Sequence, residues 1–106
     1  MSVLFEQVSL GRMRLRNRFV RSATNDFLAT PDGAVSDAEV ELYRALAAGG
    51  AGMIISGHAY VQHPLGRGSV GQNAIYDDRF VAGYRRAAQA VQALGAAFVM
   101  QVSHAG

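Results

Sequence analysis

The stretch Arg18-Phe19-Val20-Arg21-Ser22-Ala23-Thr24 begins as a short apolar strand and closes on three small residues, the last bearing a hydroxyl. Small side chains at a strand's end let a flat ligand approach the backbone, and a threonine there offers one hydrogen-bond donor. Two later stretches repeat the plan. Gly52-Met53-Ile54-Ile55-Ser56 runs into Gly57-His58, and Ala96-Ala97-Phe98-Val99-Met100 runs into Gln101-Val102-Ser103-His104-Ala105-Gly106. Three strands that turn from apolar to small or polar at their carboxyl ends predict one site on one edge of a sheet.

The segments between these strands read as helices. Ser36-Asp37-Ala38-Glu39 is a capping box, in which the serine accepts from the amide three residues on and Glu39 reaches back. The helix it opens is predicted to run to about Ala48, with Val40, Tyr43 or Ala47, and Leu46 on its buried side. Gly49-Gly50 stops it, one of the two in the left-handed cap conformation. Asp77 or Asp78 caps a second helix, whose Phe80, Tyr84, Ala87, Ala88, Val91 and Leu94 recur at helical spacing before Gly95 ends it. Ahead of the first strand, Val8-Ser9-Leu10 and Met13-Arg14-Leu15 flank Gly11-Arg12 as a short β-hairpin. A first loop, from Asn25 to Val35, turns at Pro31-Asp32-Gly33. A second, from about Gly57 to Asp77, is the longest and shows no periodicity, whereas ordinary connections are ~4–6 residues long.

A hairpin followed by β-α-β-α-β, with unbroken apolar strands, predicts an α/β fold with parallel strands covered on both faces. The long loops lie at the carboxyl ends of the strands, where open doubly wound sheets and (β/α)8 barrels both place ligands. No Gly-x-Gly-x-x-Gly follows the first strand, which disfavours a dinucleotide-binding half. The chain also stops after the third strand with no helix to cover it, so the sequence reads as cut. The expected fold is the N-terminal portion of a (β/α)8 TIM barrel, with residues 1–106 as one segment of a single barrel domain.

Composition narrows the class. Half of the 106 residues are hydrophobic, enough for one modest core. No apolar run approaches the ~20 residues of a membrane span, and no basic region precedes an apolar one at the N-terminus, so neither membrane insertion nor secretion is expected. The absence of cysteine removes disulfides and thiolate metal sites from this segment and fits a cytoplasmic location. All ten basic residues are arginine, and Arg12, Arg14, Arg16 and Arg18 alternate along one stretch. With no aromatic platform interleaved, these read as a solvated hairpin face and not as a nucleic-acid surface.

The residues by themselves leave several roles open. Thr24 is either a ligand donor or a strand-end threonine bonded to its local backbone. His58 could contact a flavin, a phosphate or a metal, or simply be solvated; no second ligand at one-turn spacing supports a metal. His63 reads as surface. Gln101 follows an apolar run, where an amide needs its donor and acceptor satisfied. Its planar amide suits the edge of a heteroaromatic ring with adjacent C=O and N–H groups, or a bond to a neighbouring strand's loop. His104 orients a ligand or, more simply, a loop. Asp26, Asp32, Asp37, Asp77 and Asp78 have turn or cap explanations, and no nucleophile–histidine–acid set is spaced convincingly.

Leu4-Phe5, Gly11, Leu15, Asn17-Arg18, Ser22-Ala23-Thr24, Gly49-Gly50 before Ile54-Ile55, and Gln101-x-x-His104-Ala105-Gly106, taken in order, resemble the Old Yellow Enzyme family of FMN-dependent NADH:flavin oxidoreductases. The resemblance covers the whole chain and implies FMN as cofactor, NADH or NADPH as reductant and an electrophilic small-molecule acceptor such as an activated alkene. It implies that Ser22, Ala23 and Thr24 pack against the isoalloxazine, with Thr24 donating near O4 and N5 and so tuning the reduction potential. Gly57 or His58 would make the strand-two contact, where the family usually has glycine or alanine, and Gln101 would pair with the pyrimidine edge. No catalytic acid and no metal ligand is implied within these residues.

There are departures. Val102 stands where the family usually has leucine, and Asn25-Asp26-Phe27 follows Thr24 where some members place a substrate-touching aromatic. The later histidine pair, a proton-donating tyrosine and the phosphate-binding loops are not in this segment, so by itself it is expected not to turn over. A later iron–sulfur site and homo-oligomerisation of a full-length protein stay open. The rival reading is a non-catalytic barrel piece that acts only through association.

Overall fold

The computed structural model describes residues 2–106. After a single 3-10 turn at Val3–Phe5, β1 (Val8–Leu10) and β2 (Met13–Leu15) form the antiparallel hairpin, with Gly11 at φ +61° in its turn. Then come β3 (Val20–Arg21), α1 (Asp37–Ala48), β4 (Met53–Ile55), β5 (Ala59–Tyr60), β6 (Asn73–Ala74), α2 (Val81–Gln92), β7 (Ala97–Val99) and β8 (Val102–Ser103). The three predicted strands pair in parallel in the order β3-β4-β7, with Arg21 beside Ile54 and Ile54 beside Phe98.

Sequential strand order places both connecting helices on one face of the sheet, and α1 and α2 pack against each other there. Ile54 and Phe98 point to the helices, where Val40, Tyr43, Ala47, Tyr84, Ala87 and Val91 complete the core. By the period of two, Met53, Ile55, Ala97 and Val99 point to the opposite face. β3 has a neighbour on one side only, which is why Phe19 and Val20 are 41% and 45% exposed. Its Arg21 turns to the helix side, donating to Ile55 O at 2.9 Å with its guanidinium over the Tyr43 ring.

The Ser36 cap of α1 and the glycine stops after both helices lie where the sequence predicts, whereas α2 itself starts without a side-chain cap. Ser36 Oγ accepts from Glu39 N, Gly50 carries φ +109° after α1, and Gly95 carries φ +88° after α2. Asp77 caps a 3-10 turn, Asp78–Phe80, that feeds into α2. Glycine at position 83 costs α2 about 1 kcal/mol of helix propensity. A Cβ there would lie 2.9 Å from that of Val35, so close packing excludes a larger residue.

Four expectations are corrected. The loop from Gly57 to Asp77 is not structureless, because it contributes β5 and β6 to a second parallel sheet of order β6-β5-β8. Glu39 does not reach back to close the capping box; it is fully buried and its Oε1 accepts from Asn73 Nδ2 at 2.9 Å. Arg16 is not solvated: its guanidinium donates to Leu94 O, Ala47 O and Ala51 O at 2.5, 2.6 and 2.8 Å, tying the ends of both helices to the start of β4. Leu94 lies beyond α2 and is 38% exposed, outside the buried stripe. Among the described residues no helix is long and apolar enough to cross a membrane.

Candidate functional site

The carboxyl ends of β3, β4 and β7 meet on one rim. A Cβ on buried Gly57 would sit 2.8 Å from Thr24 O, so the chain after β4 passes directly under the end of the first strand's stretch. Ser56 N donates to Val99 O at 2.8 Å, and Gln101 N reaches Ser56 Oγ at 3.4 Å. Ala59 N in turn donates to Gln101 O at 2.9 Å. Thr24, Gly57, His58 and Gln101 are thus neighbours through backbone contacts, as three parallel strands of matched length require.

The rim is shaped by a β-bulge. Ile55 pairs with Val99, and pairing resumes with Ala59 opposite Val102. One strand has an additional residue between those points, and Gly57-His58 lies inside the longer side. Bulges of this kind end one ladder, start another and re-aim side chains beside functional sites.

Each candidate side chain has a definite environment. Ser22 and Thr24 are exposed and Ala23 is half-buried. The Thr24 hydroxyl donates to Ser22 O at 3.2 Å, the local bond that was one of its two readings. Because a hydroxyl has one proton and a free rotor, donation to a ligand would have to break that bond. Gln101 is exposed, and its side-chain amide has no hydrogen-bond partner among the described residues, so the reading that tied it to a neighbouring loop does not hold. His104 does orient a loop: its ring bonds Gln62 Oε1 at 2.7 Å and accepts from Gly106 N at 3.1 Å. His63 is exposed, as expected, and stacks on Tyr76 with ring centres 5.3 Å apart.

His58 belongs to a network that the sequence did not reveal. Gln72, 1% exposed, donates through Nε2 to His58 O and to Ser103 Oγ at 3.3 and 3.4 Å. Ser103 Oγ also lies 3.3 Å from His58 Nδ1, within hydrogen-bonding distance of the ring. Gln72 Oε1 also accepts from Gly68 N and Ser69 N, so one buried amide fastens the long loop to both rim strands. No sequence signal marks Gln72, because its partners lie up to 31 residues away.

Beneath the rim lies a second group of polar residues. The Tyr43 hydroxyl accepts from Gly57 N at 3.2 Å, and burial pushes the phenol up to about 12 against that bond. Burial also drives the Glu39 carboxyl up to about 7, opposed by the Asn73 amide and reinforced by the Asp26 charge. Tyr84 is shifted upward by the same cause, with smaller contributions from Glu39, Tyr43 and Asp26. Asp26 Oδ2, Glu39 Oε2 and Tyr84 Oη are buried without partners. Among the described residues no cluster of three or more histidine or acidic side chains is placed to hold a metal ion.

The exposed part of this arrangement suits a planar heteroaromatic ring. Small residues line the end of the first strand's stretch, Gly57 leaves no room for a side chain, and the open Gln101 amide offers one acceptor and two donors in a plane. The unpaired amide fits a ring edge carrying complementary C=O and N–H groups.

Known proteins share both the sequence and the geometry. Residues 3–106 match the family described as NADH:flavin oxidoreductase / NADH oxidase. A metal reductase of Desulforamulus reducens is 42% identical over 106 residues, which are 100% of this chain and 15% of that protein. The structure of a 2-naphthoyl-CoA reductase bound to 2-naphthoyl-CoA superimposes with a TM-score of 0.93 at 33% identity, over 98% of this chain and 16% of that one. The Old Yellow Enzyme from Pichia sp. AKU4542 gives a TM-score of 0.90 at 26% identity, over 98% and 27% of the two chains. These solved structures are barrels, and the three core strands and two helices here are part of that (β/α)8 plan. The chain spans well under a third of the length of each.

Proposed function

Since the chain belongs to the NADH:flavin oxidoreductase / NADH oxidase family, we propose that its strand ends hold FMN in a protein that moves hydride from NADH or NADPH to an electrophilic small molecule. An activated alkene is the acceptor class we favour. Residues 1–106 would be one part of a single FMN-binding barrel domain. The observation that carries this reading is the Gln101 side-chain amide, unpaired and exposed on a rim of small residues.

Bound FMN would supply reversible two-electron chemistry, taking hydride from a reduced nicotinamide and giving it to the acceptor. The chain's own residues bind and orient. Gln101 pairs with the ring's pyrimidine edge, and Ser22, Ala23 and Gly57 leave room for the ring to approach the backbone. Thr24 releases Ser22 O and donates to the ring, a bond that favours the more electron-rich reduced state. His58 sits beside Gly57, held by Ser103 and Gln72. With no cysteine and no membrane-spanning helix among the described residues, a cytoplasmic setting fits this chemistry. Homo-oligomerisation through barrel faces outside these residues is compatible with it.

The test is FMN titration of the full-length apoprotein, followed by fluorescence quenching and by the flavin absorption spectrum. Stoichiometric binding that weakens in Gln101→Leu and a lowered reduction potential in Thr24→Val are the expected results. A folded full-length protein that takes up no FMN would overturn the reading.

A further inference from the structure

Glu39 is the only Asp, Glu, Lys or Arg among the buried residues of the described chain, and it sits in the first turn of α1 at 0% exposure. Its Oε1 accepts from Asn73 Nδ2 at 2.9 Å, while Oε2 has no partner. Asn73 opens β6 and lies opposite Ala59 of β5, which lies opposite Val102 of β8. Ala59 N donates to Gln101 O, and Ala59 directly follows His58. A continuous path of hydrogen bonds and strand pairing therefore joins the Glu39 carboxyl to the two rim residues, across three strands of only two residues each.

We propose that Glu39 is a positioning residue for the rim: its buried bond to Asn73 clamps the small sheet to α1 and so fixes where Gln101 and His58 stand. Two-residue strands have little cohesion of their own, and a three-stranded patch of them needs an external anchor. Besides Asn73, the long loop's ties to the rest of the fold include Gln72, which grips the same rim, Ser69 Oγ accepting from Asn25, Gly71 O accepting from Ala29 N, Ala74 N donating to Gly33 O, and Gly57 N donating to Tyr43 Oη. The Glu39–Asn73 contact is the link that reaches a core helix by a side chain at each end.

A buried carboxyl with one unpartnered oxygen is far less costly as the neutral acid than as the anion. The groups facing it agree with that state. Asp26 from the loop after β3 repels a second negative charge, Tyr43 and Tyr84 are neutral phenols, and Arg21, which faces Tyr43, is occupied with Ile55 O and the Tyr43 ring. The sign follows from a folded value of about 7 against 4.5 for a free glutamate. The folded clamp holds its proton where the unfolded chain has lost it. Its stability is full below about 4.5, falls as pH climbs, and the loss is complete above about 7.

This inference rests on the FMN reading, and its test separates the two. Apo full-length protein is titrated with FMN from pH 5.5 to 8.5 as wild type, Glu39→Gln and Asn73→Leu, with hydrogen exchange of residues 58–61 and 101–103 followed in the apoproteins. Wild type should bind several-fold more weakly at pH 8 than at pH 6. Glu39→Gln, which keeps an acceptor for Asn73 but cannot ionise, should lose most of that dependence. Asn73→Leu should bind at least tenfold more weakly at every pH, with faster exchange in both rim segments. Wild-type affinity, pH profile and exchange in both variants would overturn the clamp while leaving the FMN site standing. Failure of wild type to bind FMN would instead remove the functional reading, and the apoprotein exchange data would still decide whether the clamp exists.

Discussion

The two ends of the parallel strands use their polar groups in opposite ways. At the amino ends, Arg16 bonds three carbonyls, and Asn17 donates to Gly50 O at 2.6 Å while accepting from Phe19 N at 3.0 Å. Gly52 packs so tightly there that a Cβ would lie 2.5 Å from Asn17 Oδ1. At the carboxyl ends, Gln101 makes no side-chain bond, Thr24 spends its hydroxyl on its own backbone, and three buried oxygens below have no partner. The amino end spends its polar groups on internal bonds, save Arg16 Nε, beside an open hollow lined by Phe5, Phe19 and Leu46, whereas the carboxyl end leaves more of them unspent. This is the division expected of a barrel, with stability at the bottom and chemistry at the top.

That contrast can be broken or sharpened by substitution. The largest effect is expected at the amino end. Arg16→Ala strands three carbonyls at the helix ends and should cost about 3 kcal/mol of unfolding free energy in urea, with FMN stoichiometry of the folded fraction unchanged. Loss of cofactor without loss of stability would erase the distinction between the ends. A middling effect belongs to the seam between them. Gly57→Ala drives a methyl group against the Thr24 carbonyl and should cost about 2 kcal/mol, and it should weaken FMN binding as well. The smallest stability change is expected at the carboxyl end. Gln101→Leu should move the unfolding free energy by no more than about 0.5 kcal/mol. It should weaken FMN binding about tenfold, which corresponds to ~1.4 kcal/mol. A large fall in stability there would show that the amide is structural after all.

The same division explains what could be read from the chain. Local signals placed the hairpin, the Ser36 and Asp77 caps, the glycine stops and the three apolar strands, because each is decided within a few residues. Convergence of Thr24, Gly57 and Gln101 on one rim followed from strand direction alone. The second sheet was not legible: two-residue strands leave no period to detect, and their pairing joins positions 14 to 43 residues apart in the chain. Arg16 looked like its solvated neighbours Arg12 and Arg14, since nothing local tells a guanidinium that two helix ends will arrive beside it. Glu39 did carry a clue. It lies one and two turns before Tyr43 and Ala47, on the face that is buried, and the capping-box reading obscured that register.

The extra residue between Ile55 and Ala59 has a consequence of its own. In an extended chain, losing one position turns everything beyond it over, so deleting either Gly57 or His58 would exchange the two faces of β5, both of them buried. Tyr60 would then press a phenol into the buried space that the Ala59 methyl group now fills, and the strand's grip on its neighbours would go with it. Length is therefore as strict a requirement at this corner as side-chain identity. Lineages sharing the fold should keep glycine at position 57, where a Cβ would strike Thr24 O, and show almost no gaps between Ser56 and Ala59.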